Sequence, residues 1–120
     1  MCHVAANDSC DLLCLDLPKA ERVRQGLPDL AELERWATAA KAVSDPTRLA
    51  VAIALRDCES ACVCDLAWIT GRDEKLISHH ARALKAAGFA VSERRGKMVM
   101  YELTTSGRAL LDAVVGGVAA

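Results

Sequence analysis

The spacing of apolar residues changes from helical to strand-like at Gly88, and this change constrains the fold more than any other feature of the chain. Over 76–87, apolar residues recur at helical spacing, which predicts a helix with one buried stripe. Over 89–103 they alternate on either side of Arg94-Arg95-Gly96-Lys97, which predicts a β-hairpin with a basic tip. A helix that ends at glycine and leads directly into a hairpin is therefore expected.

The chain before this point predicts a series of short helices. They are expected from Pro18 to Gly26, from Asp29 to Val43, from Thr47 to Arg56 and from Val63 to Thr70, with a polar loop over 57–61. Gly71 ends the fourth helix and Asp73 caps the fifth, so a tight turn joins them. A last helix is expected from Thr104 or Thr105 to about Val115. This order predicts a mainly α fold with a β-hairpin wing, a winged helix-turn-helix.

A chain of 120 residues is expected to form one folded domain. Residues 1–28 are predicted to be an N-terminal arm with a short helix, and residues 29–120 a DNA-binding and dimerisation domain. The N-terminus lacks the basic and apolar regions of a signal peptide, and no segment is apolar enough to span a membrane. A cytoplasmic location is therefore expected.

The charge is distributed unevenly along the chain, although the net charge is only −1. Residues 72–97 carry seven Lys or Arg against three acids, whereas residues 1–71 carry seven against eleven. The excess of +4 lies on the predicted recognition helix and wing, and it favours a surface that faces phosphate. The residues expected at this surface are Lys75, Ser78, His79, Arg82, Lys85, Arg94, Arg95 and Lys97. A solvated basic face is the alternative.

Six cysteines are the main chemical feature of the sequence, and four of them form two close pairs. Cys62 and Cys64 are separated by one residue, and Cys10 and Cys14 by three. In a cytosolic chain, clustered cysteines bind metal or do redox chemistry more often than they form disulfides. Thiolates are soft ligands that select Cd²⁺, Pb²⁺, Zn²⁺ or Cu⁺. A helix N-terminus, where Cys62 and Cys64 are predicted to lie, stabilises the thiolate form.

The spacing of Cys62 and Cys64 also constrains their backbone. On a regular helix, residues two apart point about 200° away from each other and could not share one ion. We therefore expect Cys62 to lie before the first helical turn. His80 is expected to pack inward, and Trp36 and Trp68 to lie in the core or in a dimer contact.

Three segments resemble the ArsR/SmtB family of metal-responsive winged-helix repressors: SDPTRLAVAIAL (44–55), CVCDLAWITG (62–71) and LISHHARALKAAGFAVSERRGKMVMYEL (76–103). Within that family the chain is most similar to the CadC-type cadmium, lead and zinc sensors. Those sensors pair a Cys-x-Cys-Asp at the start of the fourth helix with a Cys-x3-Cys in the N-terminal arm. Cys62-Val63-Cys64-Asp65 and Cys10-Asp11-Leu12-Leu13-Cys14 match this pattern.

The resemblance implies a homodimer that binds a palindromic operator when metal-free and releases it when Cd²⁺, Pb²⁺ or Zn²⁺ binds. The implied ligands are Cys10, Cys14, Cys62 and Cys64, with the arm of one subunit meeting the helix of the other, and no organic cofactor is implied. Cys58 and Cys2, together with His3, depart from the family pattern and are left open as further ligands. The second zinc site of many relatives is not expected, because no His follows His80.

The same cysteines are also compatible with other functions. A repressor triggered by arsenite would need three sulfurs, and one triggered by oxidation would use the same cysteines. A small thiol redox enzyme is disfavoured, because no Cys-x-x-Cys follows a predicted strand. A protein that holds zinc only for structural support is a further alternative. The expected class is a DNA-binding repressor and not an enzyme.

Overall fold

A computed structural model describes residues 16–117, which contain six α-helices and a three-stranded sheet. The helices are α1 (Leu17–Gly26), α2 (Leu30–Ala40), α3 (Pro46–Cys58), α4 (Val63–Thr70), α5 (Glu74–Ala86) and α6 (Thr105–Gly117), and the strands are β1 (Ala61–Cys62), β2 (Ala90–Arg95) and β3 (Met98–Leu103). None of the helices over 16–117 has the length and apolar character needed to cross a bilayer. The described residues fall into two compact units, one up to Glu34 and one from Arg35 onward.

In the first unit, α1 begins with Pro18 in its first turn, where a proline fits because its missing N–H would have no helical partner. No residue of α1 is buried. Asp29 starts α2, since its carboxylate accepts the Glu32 N–H at 2.9 Å. α2 continues past Glu34 into the second unit, where the helix predicted to reach Val43 changes to a 3-10 turn over Lys41–Val43.

In the second unit, α3, α4, α5 and α6 surround one core with the sheet. Its largest fully buried side chains are Leu55, Leu66, Ile77, Leu84, Leu111 and Val51. Asp45 caps α3 by accepting the Arg48 N–H at 2.9 Å, and Asp73 caps α5 by accepting the Lys75 N–H at 3.0 Å. These caps and the apolar spacing explain why the helices begin where the sequence predicts.

The helix-turn-helix and the wing are confirmed. α4 ends at Gly71, whose left-handed φ of 69° turns the chain toward α5. β2 and β3 pair antiparallel from Ala90 opposite Leu103 to Arg95 opposite Met98. The tip turns through Gly96, whose φ is 63°.

The sheet has a third strand that the sequence did not predict. β1 pairs antiparallel with β3, which places Ala61 opposite Tyr101 and Cys62 opposite Met100. The expected polar loop over 57–61 therefore ends in a strand. Two residues are too few to show an alternating pattern, so only the pairing with β3 reveals this element.

Three exposed large apolar side chains in the described part of the chain bear on the sequence predictions: one was expected in a buried stripe, and two in the core or in a dimer contact. Leu76, predicted in the buried stripe of α5, is 39% exposed, whereas its neighbour Ile77 is fully buried. Trp36 is 54% and Trp68 is 86% exposed, so neither lies in the core.

α6 begins against the backbone at the end of α5. The Thr104 N–H donates to the Phe89 carbonyl at 3.0 Å, and the Gly107 N–H donates to Thr104 Oγ1 at 3.0 Å. A Cβ at Gly107 would lie 3.0 Å from the Phe89 carbonyl carbon and closer still to its oxygen. Only glycine therefore fits at this crossing.

Candidate metal centre

Cys62 lies at the junction of β1 and α4. Its φ of −89° and ψ of 169° are extended, so it precedes the first helical turn, as predicted. Cys64 lies within that turn, and the two Sγ atoms are 2.9 Å apart. The two thiols converge, although they are two residues apart, because Cys62 is outside the helix.

Asp65 is the third group of this cluster. Its Oδ2 accepts the Cys62 N–H at 3.4 Å, which holds the extended backbone of Cys62 in place. The possible ligand atoms of Cys62, Cys64 and Asp65 all lie within 4.8 Å of one another. Sequence reasoning included Asp65 in the motif but gave it no role. A role for Asp65 could have been predicted from its position in the first turn of a helix, directly after the two cysteines.

The donor set fits a thiophilic cation. Two thiols supply soft ligands and the carboxylate supplies a hard one, a combination that suits zinc-like and cadmium-like ions better than Mg²⁺ or Ca²⁺. Among residues 16–117, no other His, Cys, Asp or Glu joins the three. If these three groups bound one ion, coordination positions would remain for thiolates from another segment of the protein.

The pKa of the Cys62 thiol is shifted in the direction opposite to the one predicted from its place at a helix N-terminus. The residue is only 4% exposed, and desolvation, followed by the hydrogen bond with Cys64, raises the pKa of its thiol. The helix N-terminus therefore does not make Cys62 a ready thiolate in the metal-free protein. Metal binding at such a pair releases protons, so affinity for a soft cation increases with pH.

The thiol pair opens into a cleft of about 350 Å³ shared with the elements expected to read DNA. Glu74 and Ser78 of α5 line one side of this cleft, and Lys97 and Met98 of the wing line another. Cys62 is also joined to β3 through its pairing with Met100. Two independent connections thus link the thiols to the recognition helix and the wing.

The remaining cysteines do not complete this cluster within the described residues. Cys58 is exposed at the end of α3 and lies outside the group of three. It lines a separate cleft of about 290 Å³ with Asp65, Trp68 and Ile69. The predicted ligands Cys10 and Cys14, and the open candidates Cys2 and His3, lie outside the described residues.

The side chains predicted to face DNA lie on α5 and at the wing. All of them are exposed except Ser78, which is half-buried: Lys75, His79, Arg82, Lys85, Arg94, Arg95 and Lys97. Lys85 Nζ donates to Ser92 Oγ at 2.7 Å, which ties the end of α5 to β2. Arg95 forms an exposed ion pair with Glu93 at 3.4 Å.

His80 packs inward, as predicted, and joins α5 to the start of α3. Arg48 Nε donates to His80 Nδ1 at 3.1 Å, which leaves the neutral ring's proton on Nε2. That Nε2 is 3.7 Å from Asp45 Oδ2, and Arg48 also donates to the Ala42 carbonyl at 3.4 Å. Sequence reasoning missed this network because its members are far apart along the chain.

We expect the free energy of unfolding to fall as the pH drops below about 6.5. Burial, followed by a smaller effect of Arg48 and His79, lowers the pKa of His80 from 6.5, while Asp45 opposes this shift. The unfolded chain therefore takes up a proton at higher pH than the folded chain does, and acid favours unfolding.

Urea unfolding between about pH 8 and pH 5 measures how the free energy of unfolding depends on pH. His80→Gln should flatten this profile in that window. His79→Gln is the comparison: His79 is exposed and contributes only a small part of the shift, so this change should alter the pH profile less than His80→Gln does. Equal pH profiles for wild type and His80→Gln would contradict the role of His80.

Comparison with known proteins identifies the family. Residues 45–92 match the profile "Bacterial regulatory protein, arsR family". A cadmium resistance transcriptional regulatory protein CadC homolog of Staphylococcus aureus is 34% identical over 96 residues, which cover 80% of this chain and 78% of that protein. A transcriptional repressor SmtB homolog of Synechocystis is 34% identical over 100 residues, covering 81% and 75%.

The fold agrees with this assignment. A homodimeric winged helix-turn-helix DNA-binding domain from Mycobacterium bovis superposes with a TM-score of 0.66 at 26% identity, covering 74% of this chain and 84% of that one. The helix-turn-helix and the cysteine-bearing start of α4 lie within residues 45–92, the region matched by the family profile. This chain therefore belongs to the ArsR/SmtB family of transcriptional repressors, which are DNA-binding regulators and not enzymes.

Proposed function

We propose that this protein is a homodimeric repressor that binds operator DNA in its metal-free form and releases it when a soft metal ion binds at Cys62 and Cys64. The convergence of the two thiols, 2.9 Å apart at the start of α4, is the observation that carries the proposal. Two thiols this close on an ordered helix start form half of a site before any metal arrives. The remaining ligands can then come from a more distant segment.

The full ligand set in this proposal is Cys10, Cys14, Cys62 and Cys64, with the first two supplied by the other subunit. Four thiolates around one ion select Cd²⁺, Pb²⁺ or Zn²⁺ over hard cations. The cadmium resistance regulator among the relatives supports a metal of this class. The proposal leaves Cys58 out of the set, and this choice is supported by its position outside the group of Cys62, Cys64 and Asp65 among the described residues.

DNA recognition is assigned to the exposed face of α5 and to the wing tip. Ser78, His79 and Arg82 are suited to base edges or phosphates, and Lys75, Lys85 and Lys97 to phosphates. A two-fold dimer presents two such faces and implies a palindromic operator.

Coupling between metal and DNA follows from the shared cleft. Ser78 and Lys97 line the same cleft as both thiols, so a segment that completes the metal site must come close to two DNA-contacting residues. Binding of metal then lowers the affinity for DNA. By linkage, binding of DNA lowers the affinity for metal by the same factor.

The test is a DNA-binding titration of the reduced, metal-free dimer. An operator duplex is first selected from a random-sequence library by the metal-free protein. Cd²⁺, Pb²⁺ and Zn²⁺ are then added in turn, with Mg²⁺ as the hard-cation control and arsenite as a three-sulfur probe. We expect at least one of the soft metals to raise the Kd for DNA by about 5–150-fold, a usual allosteric coupling, and Mg²⁺ to have no effect. DNA binding that requires metal, or that responds only to arsenite, would contradict the proposal.

A further inference from the structure

We propose that Arg48 and His80 are positioning residues for DNA recognition, because the hydrogen bond between them holds α5 against the start of α3 in one orientation. The inference rests on the assignment of α5 to DNA recognition in the proposed function. It adds two residues that act on DNA binding without touching DNA or metal.

His80 is a polar residue in an otherwise apolar stripe. The buried residues of α5 are Ile77, His80, Ala81 and Leu84. His80 is only 6% exposed, so it cannot contact DNA directly. An apolar side chain would fill this position without the cost of burying a polar ring, so packing alone does not account for the histidine.

The start of α3 holds Arg48 in place from several sides. The Arg48 backbone N–H donates to Asp45 Oδ2 at 2.9 Å, and Arg48 Nη1 donates to the Ala42 carbonyl at 3.4 Å. Arg48 Nε donates to His80 Nδ1 at 3.1 Å, and His80 Nε2 lies 3.7 Å from the same Asp45 oxygen. Both ring nitrogens therefore face groups at the start of α3, and the ring is held from two sides.

These contacts exclude a metal-binding role for His80. Its Nδ1 accepts an N–H of a cationic guanidinium, so the lone pair of that atom is already used. Among residues 16–117, His80 is not part of the group of Cys62, Cys64 and Asp65. The contacts that His80 does make all bear on how α5 is held.

The hydrogen bond gives the packing of α5 a preferred angle. Apolar contacts favour burial without a fixed direction, whereas a hydrogen bond weakens steeply when donor and acceptor are misaligned. Successive helix residues are rotated by about 100°, so fixing His80 also fixes the directions of Ser78 and His79, which are proposed to face DNA. The contact from Lys85 to Ser92 near the other end of α5 lies at the surface, where water competes with it.

The test measures DNA binding by the reduced, metal-free dimer at about pH 8, where His80 is neutral because burial lowers the pKa of its ring. The two probes are the operator duplex selected by the wild type and a scrambled duplex of the same composition. His80→Leu removes the acceptor and keeps the position apolar, whereas His80→Asn restores an acceptor near the place of Nδ1. Arg48→Met removes the donor from the other side.

Leu111→Val is the matched control. Leu111 is 1% exposed on α6, so this change weakens the core without altering the contact between Arg48 and His80. Urea unfolding of every variant identifies a temperature at which all of them are folded, and DNA binding is measured there. A loss of DNA affinity is then separate from a loss of folded protein.

We expect His80→Leu and Arg48→Met each to raise the Kd for the operator about fivefold or more, the lower end of a usual coupling between sites, and to leave the Kd for the scrambled duplex unchanged. The double variant should bind no more weakly than either single variant, because both changes remove the same interaction. His80→Asn should recover most of the operator affinity. Leu111→Val should bind like the wild type despite its lower stability.

Unchanged operator affinity in His80→Leu would overturn the proposal, as would an additive loss in the double variant. If His80→Leu does not fold, Arg48→Met decides by the same criterion. An equal loss on both duplexes would assign Arg48 to a phosphate contact and overturn its positioning role. A loss in Leu111→Val as large as that in His80→Leu would show that stability alone is responsible.

These outcomes are distinguishable from failure of the proposed function. Metal is absent throughout, so they do not depend on metal-induced release. A metal-free wild type that does not prefer any operator would overturn the proposed function and this inference with it, whereas a wild type and variants that bind the operator equally would overturn only the inference.

Discussion

Cys64→Ser is expected to leave operator binding intact and to abolish its release by cadmium. Cys64 is exposed in the first turn of α4, so serine can replace it without disturbing the core. The change removes one of the two sulfurs that converge there and leaves a hard oxygen, which Cd²⁺ binds poorly. Loss of even an outer-shell partner costs about 10–100-fold in metal affinity, so loss of a ligand should cost more than ~100-fold.

The measurement is the ultraviolet charge-transfer absorbance between thiolate and cadmium, recorded together with DNA release. Cys58→Ser is the matched control, because Cys58 is also exposed but lies outside the cluster. We expect the spectrum and the release of Cys58→Ser to resemble those of the wild type. An unchanged spectrum for Cys64→Ser would remove this residue from the metal site.

Gly107→Ala is expected to produce the largest loss of folding stability among single-methyl additions to this chain. The new Cβ would overlap the Phe89 carbonyl oxygen and lie 3.0 Å from its carbon, and both are backbone atoms that cannot rotate away. α6 would have to move from Phe89, which would also strain the hydrogen bond from the Thr104 N–H to that carbonyl. Overpacking of this kind costs about 1–3 kcal/mol and sometimes more.

Gly116→Ala provides an internal control on the same helix. A Cβ there meets nothing within 4 Å, so the change should stabilise α6 by up to about 1 kcal/mol through helix propensity alone. Urea unfolding of both variants measures the two effects, which have opposite signs. Similar unfolding midpoints for Gly107→Ala and the wild type would show that α6 does not need the close crossing.

The order of the elements could be predicted because each carries a local signal. Asp45 and Asp73 mark helix starts, Gly71 and Gly88 mark ends, and the change of apolar period marks the wing. β1 could not be predicted in this way. Its two residues have no period of their own, and they become a strand only because β3 offers unpaired backbone groups beside them.

The sequence predicted the backbone geometry of the candidate site better than it predicted the burial of its side chains. The extended backbone of Cys62 followed from the angle between alternate residues on a helix. The raised pKa of its thiol did not, because burial depends on packing among β1, α4 and β3 rather than on any local pattern. The sequence left Trp68 open between the core and a dimer contact, because a large apolar residue predicts burial but does not say in which molecule, and its exposure in this chain excludes only the core.

Cys62 serves at once as a strand residue opposite Met100, as the residue before a helix, and as a thiol. A single insertion or deletion between Ala61 and Cys62 would turn the Cys62 side chain to the other face of the sheet, away from Cys64. A lineage that loses metal sensing should therefore replace the thiols by substitution, and keep the length of this junction unchanged long after the sulfurs have gone.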